Sequence, residues 1–381
     1  MRSYICFWGM VLLPLTVFSQ QRDILRNRGL ALGVLKPGKE NAITDVNGVL
    51  VGQTTLLKAD SVRTGVTAIL PHGGNIFQQK VPAAIYVGNG FGKLAGSTQV
   101  MELGNLETPI VLTNTLAVPT AMNAVIKYSL LQKGNENVQS VNAVVGETND
   151  GYLNAIRSQP VSEADVLAAI QRASAGPVAE GSVGAGTGTS CFGFKGGIGT
   201  ASRKLPVSLG GYTVGVLVQT NFGGVLQIDG LPVGKLLKQF DYSNKILQDV
   251  DGSCMMVVAT DAPIDSRNLA RLAKRAFMGL ARTGGIASNG SGDYVIAFST
   301  AEQLRIPHQS ESLLPVQSLL SNDAVSPLFM AAIEATEEAI LNSLFMATTV
   351  KGAKAHEVKA LPKEQVLNLL RQYNRLPAAD K

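Results

Sequence analysis

Short apolar runs bounded by turn residues recur along most of the chain, and patterns with helical spacing lie between them. Because glycine, proline, asparagine or aspartate flanks them, eight runs predict β-strands: residues 42–56, 65–74, 83–90, 109–115, 141–148, 213–223, 253–263 and 292–300. Four segments with apolar positions at helical spacing predict helices: residues 162–175, 266–283, 326–349 and 364–376. The first helix begins with a capping box of Ser162 and Asp165. Strands buried on both faces, with helices of this kind, predict an α/β layered sandwich with the sheets inside.

Composition narrows the classes of function. Charged residues make up 16% of the chain, against roughly 25% in an average soluble protein, and there are 40 glycines. These values favour a turn-rich α/β body over a coiled coil or a disordered chain. The net charge of +5 is modest for 381 residues, and no Lys/Arg cluster suited to phosphates occurs. We therefore expect no nucleic-acid partner.

The first residues have the layout of a secretory signal. Arg2 precedes an apolar stretch, and the small residue Ser19 follows it. A membrane anchor fits less well, because Pro14 interrupts a run that is shorter than the about 20 residues of a membrane span. We expect residues 1–19 to be removed, the protein to be periplasmic or secreted, and the mature chain to have no membrane contact.

Histidine and cysteine are too few and too scattered for common metal-binding motifs. His72, His308 and His356 have no metal-ligand spacing, and no Cys-x-x-Cys occurs, so neither a metal nor a cofactor is expected. The same shortage argues against a Ser-His-Asp triad. Cys191 and Cys254 lie in apolar or glycine-rich runs and are predicted to be buried thiols rather than a disulfide.

Two other segments have simple structural interpretations. The glycine-rich residues 180–203 match no phosphate-binding loop. They are interpreted as tight turns in which backbone approaches backbone closely, which is compatible with the wall of a pocket. Thr336, Glu337 and Glu338 suggest paired carboxylates, but acidic residues at helical spacing are usually a solvated face, and that is the prediction here.

Ser253 follows Gly252 at the start of a predicted strand. A serine hydroxyl needs a base to act as a nucleophile, and histidine is scarce. The serine's own α-amine, with a pKa of about 7.7–8.0, is a suitable base if the chain is cut between the two residues. The hydroxyl can make this cut by attacking the glycine carbonyl, which gives an ester that water hydrolyses. From spacing alone, a Gly-Ser pair before a strand is more often only structural.

Seven blocks follow one another along nearly the whole mature chain: ITDVNGVLVGQTTL, LGNLETPIVLTNT, VVGETNDGYLN, SVGAGTGTSCFGFKGGIGTASR, VGVLVQTNFG, DGSCMMVVATDAP and NGSGDYVIAFST. In this order they resemble the P1 family of self-processing serine aminopeptidases, which includes the L-aminopeptidase/D-Ala-esterase/amidases and the β-aminopeptidases. The resemblance implies a four-layer αββα sandwich similar to N-terminal nucleophile hydrolases but with a different connectivity. It also implies a single peptidase domain over residues 20–381, cut into 20–252 and 253–381, and a homo-oligomer of the cut units.

The resemblance assigns roles to residues on both sides of the cut. Ser253 would be the nucleophile for processing and for catalysis. Ser291 and Asp293 match the family's supporting serine and acidic residue; the serine would hydrogen-bond the nucleophile, and the acid would orient it and stabilise its α-amine. The acidic residue is glutamate in some relatives, so the shorter aspartate is a departure. By residue type alone, these two positions are a turn residue and a strand cap.

Two residues before the cut complete the implied site. Asn221 matches the side-chain donor of the oxyanion hole, and Glu147 matches the carboxylate that receives the substrate's free ammonium group. The second oxyanion donor is left open between Asn149 and Tyr152. By default, the neighbouring Asp150 is a turn residue.

These inferences predict an exported, self-cleaving serine aminopeptidase that releases N-terminal residues from short peptides, amides or esters through an acyl-enzyme. One alternative is an acyltransferase like the ornithine acetyltransferases, which also self-process but use threonine where this chain has Ser253. Another is a non-catalytic periplasmic binding module. The first residue of the substrate, an L-α, D-α or β-amino acid, is left open.

Overall fold

The computed structural model describes residues 22–240, 251–309, 312–313 and 317–377. The predicted signal, residues 1–19, and residues 241–250 of the polar segment before Gly252 lie outside this range. The described helices are α1 (Ser97–Leu103), α2 (Val118–Leu130), α3 (Glu163–Gln171), α4 (Val233–Leu236), α5 (Ser266–Arg282), α6 (Ser326–Phe345) and α7 (Lys363–Gln372). The described strands are β1 (Leu50–Lys58), β2 (Val62–Leu70), β3 (Gln79–Gly90), β4 (Asn105–Leu106), β5 (Ile110–Asn114), β6 (Val144–Thr148), β7 (Ser190–Cys191), β8 (Phe194–Lys195), β9 (Ile198–Lys204), β10 (Thr213–Asn221), β11 (Asp251–Thr260), β12 (Gly290–Ser299), β13 (Ile306–Pro307), β14 (Val350–Lys351) and β15 (Glu357–Val358).

Two sheets form the centre of the fold. The smaller has the strand order β1-β2-β5-β6, and the larger has the order β13-β3-β12-β11-β10-β9, with β4 paired to β3. Most neighbours are antiparallel, but β11 and β12 run parallel, as do β5 and β6. The long strands β10, β11 and β12 are therefore side by side in the larger sheet, and they carry most of the predicted site residues.

Helices cover the outer face of each sheet. Helices α2 and α3 pack on the smaller sheet, and α5 and α6 pack on the larger one. Strand β11 shows the layering: Met255 and Val257 fill the space between the sheets, whereas Met256 and Val258 face the helices. Such two-sided burial explains the continuous apolar run in the sequence. The predicted four-layer αββα sandwich is confirmed.

All eight predicted strands and four predicted helices are present, and Ser162 caps α3 with Asp165 as expected. Strand β9 was not predicted, because its glycine-rich sequence was interpreted as turns. Gly199 gives the physical reason for that composition: a Cβ there would lie 1.9 Å from the Ala339 carbonyl of α6. The strand is rich in small residues because a helix crosses it closely. Helices α1, α2 and α4 were also not predicted.

The predicted solvated acidic face on α6 is wrong. Glu337 and Glu338 are buried, and so is Thr336. The carboxylate of Glu338 lies 2.6 Å from Arg203 of β9 and 2.6 Å from Arg26 of the N-terminal segment. The helix is covered by the sheet on one side and by other segments elsewhere, so Glu338 has its counter-charges inside the protein, whereas Glu337 pairs with the half-exposed Arg282.

Candidate active site

A cavity of about 670 Å³ opens beside the ends of β10 and β11. Its walls include four of the predicted site residues: Glu147, Asn221, Gly252 and Ser253. Ser291 and Asp293 are buried close behind it. Residues that are as much as 146 positions apart in sequence, from 147 to 293, therefore meet in one place.

Strand pairing fixes the position of Ser253. It lies opposite Asn221 in the antiparallel pair β10–β11, and beside Gly292 in the parallel pair β11–β12. The Gly292 amide lies 3.3 Å from the serine Oγ and donates a hydrogen bond to it. The nucleophile candidate is thus held on a central strand that is paired on both sides.

The Ser253 hydroxyl contacts the peptide bond that precedes it. Its Oγ donates to the Gly252 carbonyl over 2.5 Å, and the side chain is only 5% exposed. The surroundings of Gly252 are tight: a Cβ there would lie 3.2 Å from Ser291 Oγ and 3.4 Å from Phe222. Glycine is therefore favoured at this position for two reasons: a larger side chain would be crowded, and without a Cβ the carbonyl group is accessible to the hydroxyl.

Ser291 and Asp293 lie on the other face of the sheet from the Ser253 side chain. They pair with Gly252 and Cys254 in the parallel register, and neighbouring residues of a strand point to opposite faces. Among the described residues, neither the Ser291 hydroxyl nor either Asp293 oxygen has a hydrogen bond of normal geometry. The predicted bond from Ser291 to the nucleophile is absent in this uncut chain. Ser291 instead lies beside Gly252, and Asp293 lies beside Cys254, one residue on each side of Ser253.

Burial controls the protonation of Asp293. Removal from water raises the pKa of its carboxyl group to about 6, although the nearby Ser291 hydroxyl and the Cys254 backbone oppose the rise. A carboxylate in this position becomes more stable when a positive charge appears beside it. A new α-amine at Ser253 would supply that charge.

The side-chain amide of Asn221 is held from two sides. Its Oδ1 accepts a hydrogen bond from the Ser190 backbone amide at 3.0 Å, and its Nδ2 donates to the Asn149 carbonyl at 3.1 Å. These partners fix the orientation of the amide, because a backbone N–H only donates and a carbonyl only accepts. One Nδ2 hydrogen is used, so the second remains for another acceptor.

Glu147 is the buried carboxylate of the cavity wall. It lies in β6, is 3% exposed, and accepts a hydrogen bond from the Lys93 backbone amide at 3.0 Å. Its other oxygen accepts a hydrogen bond from the Thr115 hydroxyl. These donors are neutral, so they leave the carboxylate its charge to attract a cationic group. Thr115 is a contact that the sequence pattern did not identify.

The two candidates for a second oxyanion donor both line the cavity. Asn149 uses its Oδ1 to accept from the Gly151 backbone amide at 2.9 Å. Tyr152 is exposed, and its ring stacks on His356 with the ring centroids 4.2 Å apart.

Two buried charged residues beside the cavity were missed. Asp150 begins a turn, as expected, but it is 1% exposed, and Lys195 is fully buried. The available signal was that Lys195 is the only charged residue in the glycine-rich run between Glu180 and Arg203. A lone charge in such a run indicates a specific buried contact rather than a solvated face.

The described residues include no group of three or more His, Cys, Asp or Glu side chains placed to hold a metal ion. None of the helices in the described ranges is long and apolar enough to cross a membrane.

Comparisons with known proteins bear on the family to which the chain belongs. A family model described as "Peptidase family S58" matches residues 41–358. The chain is 41% identical over 369 residues to the β-peptidyl aminopeptidase BapA of Sphingosinicella microcystinivorans, a match that covers 90% of this chain and 91% of the relative.

Solved structures share the whole fold. The PH0078 protein from Pyrococcus horikoshii OT3 superposes with a TM-score of 0.86 and 48% identity, over 93% of this chain and 100% of that chain. The L-aminopeptidase D-Ala-esterase/amidase of Ochrobactrum anthropi gives a TM-score of 0.85 and 36% identity, over 93% and 99%. That structure is described as a prototype for the serine aminopeptidases and as a new variant among the Ntn hydrolase fold.

Proposed function

The chain belongs to peptidase family S58 and is an aminopeptidase, and we propose that it works as a self-cleaving serine hydrolase with Ser253 as its nucleophile. One observation carries the proposal. The Ser253 hydroxyl contacts the carbonyl of Gly252 at the wall of the cavity, with Asn221 on the neighbouring strand.

The first reaction is the cut of the chain itself. Ser253 Oγ attacks the carbonyl carbon of Gly252, its proton passes to the backbone nitrogen, and the C–N bond breaks to leave an ester. Water then hydrolyses the ester, which gives a carboxylate on Gly252 and a free α-amine on Ser253. The described geometry supports this step because the hydroxyl already lies at the carbonyl group.

The second reaction is turnover of the substrate. The α-amine of Ser253 takes the proton from Oγ, which attacks the substrate carbonyl and forms an acyl-enzyme. The free Nδ2 hydrogen of Asn221 stabilises the oxyanion, and the leaving amine receives the proton. Water, deprotonated by the same α-amine, releases the acyl group. Ser291 and Asp293 then serve to hold and stabilise the α-amine, since they pair with the residues that flank Ser253.

Glu147 selects substrates with a free amino terminus. Its buried carboxylate in the cavity wall is matched to an ammonium group. The named relatives are a β-peptidyl aminopeptidase and an L-aminopeptidase D-Ala-esterase/amidase, and these support short peptides, amides and esters as the substrate class. Two further parts belong to the proposal: export, which rests on the pattern of residues 1–19, and assembly of several cut units, which rests on the family resemblance.

N-terminal sequencing and denaturing electrophoresis of the purified protein test the proposal. The wild-type chain should give two fragments, one of which starts at Ser253. Ser253→Ala should remain a single chain, while Ser158→Ala, which removes an exposed hydroxyl, should be cut as in wild type. A cut in Ser253→Ala would show that another agent makes it. An aminoacyl anilide should be hydrolysed at the same rate with or without an acceptor amine, and transfer to the amine would favour an acyltransferase.

A further inference from the structure

Two buried charges beside the cavity have no part in the proposed chemistry. Lys195 and Asp150 are 0% and 1% exposed, and neither contacts Ser253. A buried charge costs several kcal/mol unless it is compensated, so such residues normally have a specific task. Their contacts indicate what this task is.

Lys195 ties together a loop of the cavity wall. Its Nζ donates to the Gly186 carbonyl and to the Gly196 carbonyl, each over 2.8 Å. These two carbonyls lie at the two ends of a segment that lines the cavity through Gly188 and Ser190. Ser190 is also the direct cross-strand partner of Lys195 in the β7–β8 pair. The ammonium group therefore determines the shape of this loop.

Asp150 fixes a second loop in the same way. Its Oδ1 accepts a hydrogen bond from Asn154 Nδ2 at 2.9 Å, and its backbone carbonyl accepts from two later amides of the turn. The side chain packs on the first loop: a Cβ at Gly188 would lie 2.9 Å from Asp150 Cβ. The two loops thus touch through a residue that directly follows Asn149.

Each of the two loops makes a hydrogen bond with the side-chain amide of Asn221. The first supplies the Ser190 N–H to its Oδ1, and the second supplies the Asn149 carbonyl to its Nδ2. Ser190, which makes the first contact, is the cross-strand partner of Lys195, and Asn149, which makes the second, directly precedes Asp150. A shift of either loop would turn the amide and misdirect its free hydrogen.

We propose that Lys195 and Asp150 are positioning residues that fix the Asn221 amide in the direction needed to stabilise the oxyanion. This inference rests on the proposed function, in which Asn221 is the oxyanion donor. An oxyanion donor is effective only when it is already aimed at the charge that develops, so its supports affect the rate of the chemical step.

The arrangement tolerates a change of protonation. Burial lowers the pKa of Lys195 to about 7, and the nearby Asp150 and Cys191 oppose this fall. Burial also raises the pKa of Asp150 to about 7. The nearby Thr64 hydroxyl, the hydrogen bond from Asn154 and the Lys195 charge oppose this rise in the pKa of Asp150. A neutral lysine amine still has two hydrogens, which is enough for the two carbonyls. The loop is therefore held on both sides of neutral pH.

A double-mutant cycle tests the inference. Each kcat is calculated per cut chain, after the fraction of chains cut before Ser253 has been measured in each preparation. Lys195→Met should lower kcat by about 10–100-fold with KM within about threefold, less than the 10²–10³-fold expected for loss of an oxyanion donor. In an Asn221→Ala background, Lys195→Met should cause no further fall, because its effect passes through Asn221. Asp150→Ala, which removes the oxygen that accepts from Asn154 Nδ2, should follow the same pattern and serves if Lys195→Met does not fold.

Lys80→Met is the matched control. Lys80 is mostly buried and pairs with Glu107 at 3.3 Å, away from the cavity lining. Its loss should leave kcat within about twofold. If Lys195→Met and Asp150→Ala each lower kcat by the same factor in the presence and in the absence of Asn221, the inference is overturned and the proposed function is not. A wild-type kcat in Asn221→Ala itself would instead contradict the proposed function.

Discussion

Asn221 and Ser253 are direct partners in the antiparallel pairing of β10 with β11. The proposed nucleophile and the proposed oxyanion donor therefore lie on adjacent strands, although the chain between them includes the site of the proposed cut. Backbone hydrogen bonds of the sheet keep the two strands together whether or not the connecting chain is intact. The cut can therefore free the α-amine without separating the site.

Removal of the Asn221 amide should slow the chemical step. Asn221→Ala is expected to lower kcat by about 10²–10³-fold, or roughly 2.7–4 kcal/mol, with a small change in KM. Steady-state kinetics on an aminoacyl anilide measure this. Asn142→Ala is the control, because that amide bonds Glu107 rather than the cavity. A kcat within threefold of wild type for Asn221→Ala would exclude the assigned role.

Neutralising Glu147 should weaken selection for a free amino terminus. Glu147→Gln keeps an oxygen for the Lys93 amide but loses the charge, so kcat/KM should fall by about 10–100-fold, as expected for a charged hydrogen bond of about 1.5–3 kcal/mol. Glu107→Gln changes another buried glutamate outside the cavity lining and should affect only stability. Equal cleavage of free and N-acetylated substrates by the wild type would refute the assignment.

Asp293 should make the uncut protein less stable as the pH rises. Its folded pKa of about 6 lies above the value of about 3.9 in an unfolded chain. Between these values the folded state holds a proton that the unfolded state has released, so the free energy of unfolding falls with increasing pH. The fall should amount to about 3 kcal/mol and be complete above about pH 6.

Urea unfolding of the Ser253→Ala protein from pH 4 to 7 measures this fall. Asp293→Asn in the same background should remove most of it and be more stable than its parent above pH 6. Asp323→Asn changes an exposed aspartate and should keep the parent's pH profile. Identical profiles for the Asp293→Asn protein and its parent would show that this carboxyl group does not titrate in the stated window.

Glu338 should stabilise the contact between the two proposed segments. It pairs with Arg26 and with the fully buried Arg203, which both precede the cut, whereas Glu338 follows it. Glu338→Gln removes the carboxylate that Arg26 and Arg203 share, although Glu334 still pairs with Arg203 at 3.0 Å, and should lower the free energy of unfolding by about 3 kcal/mol. The neighbouring Glu337 pairs with the half-exposed Arg282, so Glu337→Gln should cost about 1 kcal/mol or less. Urea unfolding distinguishes these values.

The pH dependence of the same contact has the opposite sign to that of Asp293. Burial alone would raise the pKa of Glu338, but Arg26 and Arg203 more than offset it, so the folded pKa is lowered. The stabilisation is therefore present above the unfolded pKa of about 4.3 and is lost as the pH falls through the folded value. Gel filtration of the cut protein over a series of falling pH values should show that the two segments separate at a higher pH in Glu338→Gln than in Glu337→Gln.

The candidate site was predicted unevenly from the sequence. The matching blocks indicated Glu147 and Asn221, and the structure places both in the wall of one cavity with Ser253. Lys195 and Asp150 were not identified, because a buried contact to backbone carbonyls leaves no periodic signal. The face of the sheet on which Ser291 lies could not be predicted either, because it depends on the register between β11 and β12.

By itself, the sequence determined where eight of the strands and four of the helices form, and it placed a serine after a glycine at the start of a buried strand. It could do so because apolar periodicity and turn residues act within a few positions of the chain. Only the tertiary structure decided that Glu338 of α6 is paired inside the core and that Asn221 is held between two loops. Such contacts join residues from distant parts of the chain, and the packing of four layers, rather than any local pattern, brings them together.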